Sequence, residues 1–103
     1  MAAPAEFTVI VADNLHYMDE SEHYVHGRFP AAELAVRAAQ DIVDAYLEHE
    51  CEPGMTADEL FARYRMFGED PFIVAVGAEQ VHFSARDYAR SRCAAVVAAR
   101  QPR

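Results

Sequence analysis

Lysine is absent from this sequence: its nine basic residues are all arginine, and they stand against 17 acids, for a net charge of −8. Affinity for a phosphate backbone comes from clustered cationic side chains, so nucleic acid is not an expected partner. Cysteine is scarce too. Cys51 and Cys93 make no CxxC or zinc-ribbon spacing, and two such thiols are expected to be reduced, buried and structural. No apolar run approaches the roughly 18 residues of a membrane helix, and Met1 to Glu6 lacks the charged and apolar regions of a signal peptide, so the expectation is a cytoplasmic protein with no membrane partner. The glycine-rich nucleotide loops and the GxSxG nucleophile turn are also missing, which removes the familiar signatures of nucleotide cradles and serine hydrolases.

What is present has the balance of one globular domain, 52% hydrophobic and 25% charged over 103 residues. That domain is expected over residues 6–100, with flexible ends at 1–5 and 101–103. Residues 6–12 are a β-branched run in which Phe7, Val9 and Val11 alternate with Thr8, Ile10 and Ala12, the period of a strand. Asp13-Asn14 stops it. Residues 24–29 read as a second strand, with Gly27 leaving room for a helix to lie close, and two strands with no helix between them pair antiparallel. Residues 31–50 carry a helical stripe of Leu34, Ala38, Ile42, Val43, Tyr46 and Leu47. A second helix over 57–67 puts Leu60, Phe61, Tyr64 and Phe67 on one side and ends at Gly68. After Glu69-Asp70-Pro71, residues 72–76 read as a strand, 77–80 as a turn, 81–83 as a short partner strand, and 84–100 as the last helix.

Helix entries are marked by local chemistry. Thr56 with Glu59 forms a capping box, and Met55 with Leu60 occupies the positions of a hydrophobic staple. Ser84 with Asp87, and Phe83 with Tyr88, imitate them, while Pro30 presets the backbone of the first helix. The order β-β-α-α-β-β-α implies an α+β fold, a mainly antiparallel sheet with its helices packed on one face. Yet Ile10 is as apolar as Val9, and Val74 as apolar as Ile73. Strands that are apolar on both faces need cover on both: either a helix crosses over or a second subunit supplies the missing layer, and the second subunit is the expectation.

The stretch 13–26, which runs from the end of the first strand into the second, concentrates three of the five histidines with four carboxylates. Asp13, Asn14, His16, Tyr17, Asp19 and His23 are its candidate ligand-binding residues. His16, His23, Asp19 and Glu22 are competent donors for zinc or a similar cation, and Asp13 with His16 reads as an oriented base near Tyr17 or Ser21. The spacings match no established ligand pattern, however, and a hairpin loop with Leu15, Tyr17 and Met18 plugged into the core accounts for the same residues. No catalytic residue, metal or cofactor is assigned. Two further groupings are local: Arg65 stands four residues before Glu69 as its natural ion-pair partner, and His49 and Cys51 are close enough in sequence to share a metal.

The pieces Asp13-Asn-Leu-His-Tyr-Met-Asp-Glu20, Pro53-Gly-Met-Thr56, Phe67-Gly-Glu-Asp-Pro-Phe72 and Phe83-Ser-Ala-Arg-Asp-Tyr-Ala89, with Arg92-Cys93, resemble a family of small uncharacterised bacterial proteins. The resemblance runs from about residue 6 to 93, implies a compact bacterial domain and carries no activity. The expected function is therefore a small non-enzymatic binding module that self-associates as a homodimer. The alternatives are a small-molecule or metal-dependent enzyme using residues 13–26, and an acidic protein that engages a basic protein partner.

Overall fold

A computed structural model describes residues 4–13 and 23–100; Asn14, His16, Tyr17 and Asp19 lie outside the described residues. The elements are β1 (Glu6–Asp13), β2 (Tyr24–Phe29), α1 (Ala32–Glu50), α2 (Ala57–Phe67), β3 (Glu69–Val76) and α3 (Ala85–Arg100). They form the expected α+β architecture, an antiparallel sheet of order β2-β1-β3 with helices on one face. β1, the most continuously apolar segment, is central and is paired on both sides.

In an antiparallel pair, residues directly opposite share a face. Phe7, Val9 and Val11 of β1 stand opposite Ala75, Ile73 and Pro71 of β3, and all six are buried. Ala35 and Ala39 of α1 pack on this set, their small side chains letting the helix axis approach the strands. That explains a correction to the α1 stripe. The buried line is Ala35, Ala39, Val43 and Leu47, at spacings of four, whereas Leu34 is half exposed. Small residues win the inward face because they allow the closest approach, and the larger Leu34 is turned to the side.

The far half of α1 belongs to a second core. Val43 and Leu47 pack with Cys51, Met55, Leu60, Tyr64, Ala89, Cys93 and Val96, so α2 and α3 close mainly on α1 and on each other. Both cysteines are free and buried, and burial pushes the Cys93 thiol up to about 11. Asp44 of α1 accepts the Tyr88 hydroxyl at 2.9 Å and Arg92 Nε at 3.1 Å, which ties α1 to α3. The caps form as expected: Thr56 and Glu59 make the reciprocal box, Ser84 Oγ accepts from Asp87 N at 3.1 Å, and the Phe83 and Tyr88 rings lie 6.2 Å apart. Phe67, expected on the buried side of α2, is instead 53% exposed at its end.

The element order departs from expectation at residues 81–83, which form no strand. The Gln80 side chain takes the place of that strand: its amide donates to Ala75 O at 2.9 Å and accepts from Ala75 N at 3.2 Å. β3 also starts earlier than expected, at Glu69, and includes Pro71. Since Ala75 turns its backbone groups away from β1, strand alternation turns those of Pro71 outward too, where a missing N–H breaks no ladder bond. At the opposite edge β2 carries a bulge, with Gly27 opposite Val9 but Val25 opposite Ile10. Gly27 makes room not for a helix but for its own neighbour: a Cβ there would meet the Phe29 ring at 3.2 Å.

Candidate functional site

The ends of the three strands nearest the expected site meet in a polar cleft of about 420 Å³. Register builds it, because Asp13 ends β1 directly opposite Glu69 at the start of β3, and Tyr24 starts β2 opposite Val11. Tyr46 from α1 and Phe67 from α2 complete the walls. The Tyr24 hydroxyl donates to Glu69 Oε2 at 2.7 Å. Burial first, and then this carboxylate, push the Tyr24 phenol up to about 12. The Tyr46 hydroxyl donates to Arg63 O at 3.3 Å, and its pKa is also raised, by burial first and then by Glu50 and Asp13 against an opposing effect of Arg63. Both phenols are thus held neutral. They serve as hydrogen-bond donors, since ionisation is made harder for each, and neither is tuned as a base or nucleophile.

His23 lies on the other side of the sheet. Its ring meets Phe72 edge to face, with centroids 5.9 Å apart, and Phe72 pairs with Ile10 on the face turned away from α1. Its Nε2 is buried without a hydrogen-bond partner. Beside it the Asp70 carboxyl is raised, chiefly by burial, with Arg86 and His23 acting in the opposite sense. Of the six candidate residues, then, Asp13 and His23 are described, and they serve opposite faces of the sheet. Among the described residues no three His, Cys, Asp or Glu side chains are grouped so as to hold a metal. His49 is exposed beside Glu50 at 3.8 Å, whereas the Cys51 thiol is buried and donates to Glu52 O, so this pair is not a ligand pair. Nor does Arg65 pair with Glu69, whose carboxylate takes the Tyr24 hydroxyl instead.

Tyr24, Tyr46 and Glu69 escaped the sequence reading of the cleft because they converge only through the β1–β3 pairing. A signal was available, since Asp13 and Glu69 each sit at the polar end of an apolar strand. That signal becomes useful only once the two strands are known to be neighbours.

The second feature of the sheet is its outer face. Ile10 of β1, Val25 of β2, and Phe72, Val74 and Val76 of β3 share it by register. Val25 is 47% exposed and Val76 60%, and α1 packs on the other face. The same register brings Thr8 and two charges onto this face, Arg28 across from Thr8 on the edge strand and Glu6 across from Val76, bound to each other at 3.2 Å, with Asp70 at the other end. Among the described residues no helix is long and apolar enough to cross a membrane. The chain matches no protein-family model, no characterised protein and no solved structure.

Proposed function

We propose that the chain is a non-enzymatic interaction module that pairs with a second copy of itself through the outer face of its sheet. The observation that carries this reading is the apolar strip Ile10, Val25, Phe72, Val74 and Val76, which is rimmed by charge and lies opposite the face on which α1 packs. An apolar centre within a polar rim is the anatomy of an interface, and a centre without charge complements itself across a two-fold axis. An axis crossing the strands sets the neutralised Arg28–Glu6 end of one face over the Asp70 end of the other, so like charges are not brought together at the rims. Edge-to-edge pairing is disfavoured, because Gln80 and Pro71 close the β3 edge and the bulge twists the β2 edge. The neutral phenols of the cleft and the opposed directions of Asp13 and His23 favour binding over catalysis. Buried free thiols favour a reducing compartment, the cytoplasm.

Light scattering on the purified chain tests the proposal. The expected result is twice the chain mass for the wild type and a monomer of unchanged circular dichroism for Val74→Arg, which places a charge in the middle of the strip. A wild type that stays monomeric at high concentration, or a Val74→Arg variant that remains dimeric, overturns it.

A further inference from the structure

On the helical side of the molecule a groove of about 450 Å³ runs between α2 and α3, lined by Asp58, Phe61 and Arg65 of α2 and by Arg86, Asp87 and Arg90 of α3. Three guanidinium groups on one groove are unusual in a chain whose acids outnumber its bases 17 to 9. Three other arginines find carboxylates: Arg28 holds Glu6, Arg63 holds Glu50 and Glu52, and Arg92 holds Asp44, while Arg100 donates to the Glu48 carbonyl and Arg37 has no ion pair among the described residues. Among the described residues no ion pair engages Arg65, Arg86 or Arg90. Two acids, Asp58 and Asp87, also line the groove, but among the described residues neither is ion-paired with these arginines. Asp58 and Asp87 lie in the first turns of α2 and α3, where the positive end of each helix attracts a carboxylate.

The Arg90 head is also positioned. Arg90 Cζ stands 5.2 Å from the centroid of the Phe61 ring, a cation–π contact that holds the guanidinium without using its N–H donors. Arg86 is near enough to Asp70 to favour the ionised form of that carboxyl without pairing with it. Unused donors from three planar forks exceed what one carboxylate can accept. A phosphoryl group has three or more oxygens and double charge, and matches them better.

We propose that the Arg65–Arg86–Arg90 groove binds the phosphoryl group of a small soluble phosphomonoester or of inorganic phosphate. The groove lies between α2 and α3, and phosphate binding is read separately from the oligomeric state, so failure of this proposal and failure of the dimer are distinguishable.

Titration calorimetry with inorganic phosphate and with phenyl phosphate, in buffers matched in ionic strength with chloride, tests the site. Phosphate also stabilises folded proteins by being excluded from their surfaces, so the readout is saturable heat compared between variants, not a thermal shift. The expected result is saturable binding that weakens at least ten-fold in Arg65→Ala and in Arg90→Ala, with partial recovery in Arg65→Lys. All three positions are exposed, and circular dichroism checks that each variant is folded. No saturable heat from the folded wild type, or binding unchanged when all three arginines are replaced by alanine, overturns the proposal. Binding confined to vesicles carrying phosphatidic acid, with none to the soluble probes, overturns it as well.

Discussion

Gly68 shows how one residue serves both sequence and structure. It was legible as the stop of α2, but the reason lies in packing. Its backbone is extended, at φ −74, and a Cβ there would run into both the ring and the carbonyl of Tyr64. Tyr64 is itself buried and donates its hydroxyl to Glu69 O at 2.9 Å, so it has little freedom to move. Gly68→Ala is expected to cost about 1–3 kcal/mol, the usual range for overpacking a tight site, read as a lower urea midpoint at unchanged slope. Tyr24 offers a test by pH. Its folded pKa of about 12 exceeds the ordinary 10, so the folded state holds this proton more tightly than the unfolded state. The contribution of the Tyr24–Glu69 bond is therefore complete below pH 10 and is lost as the pH rises from 10 to 12. Because Tyr24 is half exposed, solvent screening keeps the effect small. Ultraviolet titration of the wild type against Tyr24→Phe should show the loss of one late-ionising phenol; an unchanged profile at the high-pH end contradicts the assignment.

At the scale of elements, what was legible was local. The caps at Thr56 and Ser84, the β-branched run of β1 and the breaks at Pro53-Gly54 and Gly68 all depend on neighbours in sequence, and all appear in the structure. The expected strand at 81–83 failed because its competitor was a side chain. A β-branched residue after a turn reads as a strand by pattern, and no pattern reveals that the Gln80 amide will occupy both backbone groups of Ala75. Val81 and Phe83 still pack on the sheet core, but through their side chains alone. Gln80→Ala should therefore do more than remove two hydrogen bonds, each worth about 0.5–1.5 kcal/mol. It frees the β3 edge for strand addition, so concentration-dependent species larger than a dimer are expected on size exclusion. A Gln80→Ala variant with the wild-type elution profile would show that the edge is closed by something else.

The whole molecule reverses one emphasis of the sequence. The polar stretch between the first strands drew attention because His, Asp and Glu are chemically versatile, whereas the described members of that group, Asp13 and His23, face opposite sides of the sheet. The apolar excess in β1 and β3 was the more durable signal, because alternation in a strand assigns faces directly: Val9 and Ile73 under α1, Ile10 and Val74 on the outer side. The antiparallel pairing of β1 with β2 was legible and is present, but that of β1 with β3 was not, since two helices separate them, and with that pairing went the cleft of Asp13, Tyr24 and Glu69. Charge gives the most direct test of the proposed pairing. Two copies at −8 each repel, so an assembly driven by apolar burial should tighten as salt screens that repulsion, whereas an acidic protein held to a basic partner would loosen. Sedimentation equilibrium of the wild type at low and at raised sodium chloride measures this: the account predicts a dimer whose dissociation constant falls with salt, and a monomer at both salts, or a dimer that dissociates as salt rises, would contradict it.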